Sequence, residues 1–221
     1  MKSILIIGMG AFGRHLALKM SELNNDVMIV DKDAAVIDEM ASLVTDAQIG
    51  DCTKEDVLRS LGVSNFDICF VTIGDTFQSS LEITSLLKDL GAKYVISKSS
   101  RDIQAKFLLR NGADEVVYPD KDMAEKLAIR CSANNVLDYF SITDEYSIFE
   151  IPVIEDWTDC SIEQIDVRKK YHINILLIKN GSSLVTMPKA DYIFKEDDRL
   201  IIIGRTEEVL KFTDNIKTFI S

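Results

Sequence analysis

Apolar and polar positions along this chain fall into two textures that meet just past its middle. As far as Tyr118, short and nearly unbroken apolar runs alternate with stretches whose apolar residues recur every three or four positions. The runs are Ile4–Gly8, Val27–Asp31, Ala47–Gly50, Ile68–Ile73, Tyr94–Ser97 and Glu115–Tyr118. Their length suits strands, and Ile4–Ile7 and Ile68–Ile73 lack the alternation of a half-exposed strand, so both of their faces are expected to be covered. Between the runs, Phe12 to Leu23 carries Leu16, Met20 and Leu23 at spacings of four and three, which predicts an amphipathic helix. Val36 to Leu43 and Leu81 to Leu90 follow the same rule. Strands alternating with helices call for crossover connections and therefore a parallel sheet. The first fold expectation is α/β: a doubly wound parallel sheet of six strands.

After Pro119 the texture changes. Asp120 to Ala133 reads as a helix with Met123, Leu127 and Cys131 on one face. The following NNVLDYF gathers Val136, Leu137, Tyr139 and Phe140. That apolar cluster suits a crossover helix gripping a second subunit or packing onto the same chain, the first being favoured because the cluster lies between two compact units. Farther on, Ile148–Ile154, Ile173–Ile178, Leu184–Met187 and Arg199–Gly204 look like strands, with a hairpin turn at Asn180-Gly181 and a closing helix over Glu207–Phe219. This is a small α+β domain, and the division is expected at 1–140 and 141–221.

Composition narrows the function classes. The 221 residues are 47% hydrophobic with few prolines, as a folded globular chain should be. Net charge is −11 without a basic stripe, which argues against a nucleic-acid partner. No apolar run approaches the ~20 residues a spanning helix needs, and MKSILIIG lacks a cleavable signal pattern, so a cytoplasmic location is expected. Cys52, Cys69, Cys131 and Cys160 form no CxxC pair and read as reduced thiols. Only His15 and His172 are present, far apart, which excludes a histidine-rich metal centre.

The candidate chemistry sits at the end of the first strand. Gly8, Gly10 and Gly13 match G-x-G-x-x-G between an apolar strand and a periodic helix. A tight turn needs the first glycine, close approach to a phosphate the second, and helix–strand packing the third. The helix following them, beginning about Ala11 and Phe12, aims its unpaired amides and positive dipole end at the anion. Asp31 ends the second strand 18 residues beyond Gly13, near the ~20-residue spacing of a ribose-hydroxyl acceptor, with Lys32 beside it. Such an acid repels a 2′-phosphate. Asp51 and Cys52 follow the third strand, where carboxylate and amides would read a purine edge; Asp51 also suits the cap of a helix over Thr53–Leu61. Thr72, Ile73 and Gly74 end the fourth strand, and Lys98 the fifth, at the edge where open α/β sheets bind ligands. An oxidoreductase would further need a proton donor near its substrate. There is no Tyr-x-x-x-Lys pair, His15 lies in the phosphate-side helix and His172 in the small domain. Sensing is therefore favoured over a small NAD-dependent oxidoreductase.

IIGMGAFG at 6–13, VDKD at 30–33, VTIGDTFQSSLEITSLLKDLGAKYVISKS at 71–99, GADEVVYPDKDMAEKLA at 112–128, NVLDYFSITDEYSIFE at 135–150, DVRKKYHINILLIKNG and EDDRLIIIG run nearly end to end. In that order they resemble the regulatory subunits of Trk/Ktr-type potassium transporters, built from an N-terminal regulator-of-potassium-conductance domain of Rossmann type and a C-terminal companion. The resemblance implies a protein without catalytic activity. Its dimers would bind ATP, ADP or NAD(H), pair through the crossover helix and assemble as a ring, commonly octameric, beneath a potassium-conducting membrane subunit. Nucleotide identity would reshape the ring and gate the partner. It places phosphates on Gly8, Gly10 and Gly13, ribose on Asp31, adenine by Asp51 and Cys52, and Lys98 near phosphate. Asp120 stands where the family often has an acid that helps hold a divalent cation, Mg²⁺ or Ca²⁺; a helix cap is the competing reading. Arg168, Asn174, Ile175 and Pro188 are candidates to line a cyclic-dinucleotide groove. One departure stands out: many ATP-responsive members carry arginine after the second glycine, and here that position is Ala11. Arg14 or Arg101 would have to substitute, or ADP or NAD(H) is the preferred ligand.

Overall fold

The structure, a computed structural model, describes residues 1–74 and 76–215. Two compact units emerge, one ending at Asp122 and the next beginning at Met123. That division precedes the expected 140/141 boundary, and hydrogen bonding explains why: Asp138–Ser141 forms a strand paired antiparallel with Tyr146–Pro152, so these residues belong to the second sheet.

In the first unit, β1 (Ser3–Ile7), β2 (Asp26–Asp31), β3 (Asp46–Ile49), β4 (Ile68–Val71), β5 (Val95–Lys98) and β6 (Glu115–Val117) form a parallel sheet in the order β3-β2-β1-β4-β5-β6. The helices are α1 (Ala11–Glu22), α2 (Ala34–Met40), α3 (Glu55–Leu61), α4 (Phe77–Asp89) and α5 (Asp102–Arg110). The doubly wound expectation is met, and the unbroken apolar run of β1 has the expected cause. Leu5 and Ile7 join one core with Val30, Val71 and Val95, while Ile4 and Ile6 join another with Val27, Ile29 and Phe70. Helix α5, which the periodicity did not single out, covers the sheet with Ala105 and Leu108. Strand order reverses between β1 and β4, which opens a crevice at their carboxyl ends.

Helix α6 (Pro119–Ser132) runs through the division between the units and buries none of its residues; Met123 and Leu127 are exposed. The apolar cluster after it splits. Val136 and Tyr139 pack into the second unit's own core, whereas Phe140 remains exposed.

The second unit holds β7 (Asp138–Ser141), β8 (Tyr146–Pro152), α7 (Ile162–Ile165), α8 (Val167–Tyr171), β9 (Asn174–Asn180), β10 (Ser183–Thr186), β11 (Asp198–Arg205) and α9 (Thr206–Asp214). Its antiparallel sheet has the order β10-β9-β11-β8-β7. Asn180 pairs with Ser183, so the hairpin loop is Gly181-Ser182 and Gly181, at φ 57°, takes the left-handed conformation such a turn needs. The two short helices between β8 and β9 were not anticipated; the closing helix was, although its expected part beyond Asn215 lies outside the described residues. No helix among the described residues is long and apolar enough to cross a membrane.

Trp157 centres this second core, 2% exposed, with the rings of Tyr171, Phe194 and Phe212 at 5.3, 5.5 and 6.0 Å. Truncating such a side chain forfeits its burial and leaves a cavity. Trp157→Ala should destabilise the chain by about 3–5 kcal/mol in denaturant melts.

Candidate functional site

The three glycines do three different things. Gly8 has φ 97°, and a Cβ there would lie 2.8 Å from Ile73 Cγ1. A Cβ on Gly13 would lie 2.1 Å from the Gly8 carbonyl oxygen and 2.7 Å from Thr72 Oγ1, so α1 rests directly on the loop. The buried Thr72 hydroxyl donates to that same carbonyl at 2.5 Å and lies 3.0 Å from the Ile7 carbonyl, binding the end of β4 to the loop. At Gly10 a Cβ would meet nothing within 4 Å. The packing of the described residues does not require glycine there.

The acids behind the loop also divide their work. Asp31 Oδ2 accepts the Met9 N–H at 2.6 Å and Oδ1 accepts the Asp33 N–H at 2.9 Å. Asp31 therefore braces the glycine loop, and each of its oxygens keeps a further lone pair. Asp33 caps α2 by accepting from Ala35 N–H, and Lys32 is exposed. Asp51 is not a helix cap, the second of its two readings: α3 starts at Glu55 with Lys54 at the cap. Asp51 instead accepts from the Thr53 hydroxyl at 2.7 Å and the Thr53 N–H at 3.0 Å. Those bonds, the hydroxyl's above all, hold its carboxyl below the usual range. Cys52 points its side chain into the core, where burial, reinforced by the charges of Asp51 and Asp31, pushes the thiol up to about 12. Its side chain is therefore not exposed at the loop.

Three residues named separately from sequence come together. Lys98, 16% exposed, ion-pairs with Asp120 Oδ2 at 3.0 Å, and its ammonium lies 5.8 Å from the centre of the Phe12 ring. A Cβ on Gly74 would lie 4.0 Å from the same nitrogen. Asp120 is not a helix cap, because it lies inside the first turn of α6. Nor do the residues present by themselves fit a divalent ion: its carboxylate holds an ammonium, and among the described residues no three His, Cys, Asp or Glu side chains gather as ligands. Ala11 is exposed at the start of α1. Arg14 is committed elsewhere, to the Met9 carbonyl at 3.0 Å and to Glu39 at 2.5 Å. Glu39 carries no signal of its own in the sequence, because that pairing depends on how α2 docks. Arg101 is exposed before α5.

In the second unit Arg168 Nε donates to Asn174 Oδ1 at 2.7 Å; Ile175 follows on β9, and Pro188 lies just past β10. A separate cleft of about 700 Å³ is lined by Glu150, Lys179, Asp198 and Arg199 among others. Its charges answer one another: Lys179 pairs with Glu150 at 2.8 Å, and buried Asp198 accepts from Asn180, Tyr192 and the Lys195 N–H. His15 and His172 are exposed, one in each unit.

Comparison with known proteins agrees with both halves of the chain. The TrkA-N domain family matches residues 4–119 and the TrkA-C domain family residues 148–217. Ktr system potassium uptake protein C of Bacillus subtilis is 36% identical over 215 residues, 97% of each chain. Ktr system potassium uptake protein A of the same bacterium is 35% identical over 211 residues, covering 96% of this chain and 95% of that one. Among solved structures, the GsuK channel bound to NAD superposes on all of this chain with a TM-score of 0.69 at 19% identity, and the GsuK RCK domain on 98% of it with 0.68 at 17%. The chain spans about half or less of those two, 40% and 48%.

The glycines make separable predictions. Gly13→Ala should lower the melting temperature, costing about 1–3 kcal/mol as α1 is pushed off the loop. Gly10→Ala should melt within about 1 kcal/mol of the parent, the ordinary helix-boundary cost, yet lose affinity for adenine nucleotides in calorimetry. Burial pushes both Cys52 and Cys69 up to about 12, so neither presents a reactive thiolate at pH 8. In the folded protein, iodoacetamide should label exposed Cys131 first and spare Cys52 and Cys69 until denaturant is added.

Proposed function

Starting from the fact that this chain belongs to the TrkA-N/TrkA-C family of potassium-uptake proteins, we propose that it is a cytoplasmic regulatory subunit that senses an adenine nucleotide and gates a potassium-conducting membrane partner. The observation that supports this most is the end-to-end likeness to a potassium uptake protein, joined to a glycine loop whose middle glycine the fold itself does not need. Adenosine would enter at the carboxyl edge of β1 and β2. Its ribose hydroxyls would meet the remaining acceptor sites of Asp31, its purine the backbone at Asp51-Cys52, and its phosphates the first-turn amides of α1 with Lys98 alongside. Nothing in this arrangement moves a proton or hydride. Lys98 is engaged by a carboxylate, so binding without turnover is the function the geometry suits.

The ligand would act by favouring one arrangement of an oligomer over another, which requires a difference in affinity between the two. Helix α6, with Met123 and Leu127 bare, is the natural grip for a second copy, and dimers so formed would assemble into a ring. Arg168 and Asn174, held together at the second unit's surface, stay candidates for the cyclic-dinucleotide groove. Ala11 leaves a terminal phosphate without an arginine fork from that position. ADP and NAD(H) should therefore compete well with ATP.

Calorimetry on the purified chain with ATP, ADP, NAD⁺ and NADH tests this reading. Saturable binding with no loss of nucleotide is expected, with ATP and ADP within about tenfold of each other, and Ala11→Arg should shift that ratio toward ATP by roughly three- to tenfold. Asp31→Ala should abolish measurable binding, since it removes the ribose acceptor and frees the Met9 amide together. A wild-type chain that binds none of the four overturns the proposal.

A further inference from the structure

Lys98 is enclosed enough to need a counter-charge and placed where an incoming phosphate would supply one. Its side chain is 16% exposed, and its ammonium lies 5.8 Å from the centre of the Phe12 ring in the first turn of α1 and 4.0 Å from where a Cβ on Gly74 would stand. The charge it holds now is the protein's own: Asp120 Oδ2 at 3.0 Å. Asp120 itself is 77% exposed and sits in the first turn of α6, so it is held on one side only and can leave without a buried cost. Lysine carries a compact point charge on a flexible stem, and it can exchange one oxyanion for another by small rotations.

We infer that Asp120 is a built-in competitor for the nucleotide's phosphate: it occupies Lys98 in the unliganded chain and is displaced when phosphate arrives. This rests on the nucleotide-sensing reading above and assigns to Asp120 a role opposite in sign to that of a metal-holding acid. A carboxylate that helps bind phosphate through a cation strengthens affinity. One that must be displaced from Lys98 weakens it. The exchange also ends with an unpartnered acid in the opening turn of α6, the helix that carries the chain out of the first unit. Phosphate occupancy is thereby converted into a change of charge pairing at the start of that helix.

The test is a calorimetric titration of ADP, with EDTA present, into wild type, Asp120→Asn, Lys98→Met and the double variant, with melting curves to establish that all four fold. Asp120→Asn should bind ADP about two- to fivefold more tightly, the scale of a largely exposed ion pair, and should bind adenosine, which has no phosphate, as the parent does. Lys98→Met should weaken ADP binding. In its background, followed to millimolar ADP, the Asp120→Asn gain should vanish. An unchanged or weakened affinity in Asp120→Asn overturns the inference, as does an equal gain with and without Lys98, which would mark a general loss of negative charge. If wild type itself binds neither ADP nor NAD⁺, the sensing reading falls and takes this inference with it; wild-type binding with Asp120→Asn unmoved removes the inference alone.

Discussion

The carbonyl oxygen of Gly8 is the point on which the first unit's ligand edge depends. Helix α1 approaches it so closely that position 13 has no room for a side chain, and the Thr72 hydroxyl donates to it from the end of β4. One main-chain atom thus fixes the start of α1, the turn after β1 and the neighbouring strand across the switch point. The amides that open α1 stay unpaired within the helix because no preceding turn exists to receive them. Locking their direction before any ligand arrives reduces the ordering cost of binding. Asp31 adds a second brace from β2 through the Met9 amide. Rigid main chain, not mobile side chains, shapes this edge.

Charge at the edge is arranged around that frame. The acids Asp31 and Asp51 are held in place by local amides and a hydroxyl, so they present fixed acceptors rather than wandering charges. Arg14 is anchored to the loop carbonyl and to Glu39, which withdraws the nearest guanidinium from service. Lys98 is left as the cation at the mouth, itself answered by Asp120.

Much of the fold was legible because it is written in local periodicity. The six strands and their order follow from apolar runs separated by helical spacing, and the glycine loop from residues whose function is conformational. What stayed hidden depends on docking between elements. The boundary was placed late because Val136 and Tyr139 look like part of a helix–helix cluster until β7 is seen to pair with β8. Asp51 and Asp120 each precede or open a helical pattern and so resemble caps; only geometry shows one closing a turn on Thr53 and the other reaching Lys98. The meeting of Phe12, Lys98 and Asp120 joins positions up to 108 apart (120 minus 12) in sequence, a distance no local pattern spans.

The position of β11 bears on how the polypeptide acquires its shape. It is the last strand among the described residues, yet it stands in the middle of the second sheet, joining β9 on one side to β8 on the other. Until it emerges, two hairpins have no partner to hold them side by side, and small β ribbons are marginal alone. The parallel sheet, by contrast, has all its strands once Val117 is made. Synthesis therefore yields a first half that can organise early, followed by a second half that waits for residues 198–205, and a chain stopped before residue 198 leaves that half with its seam open.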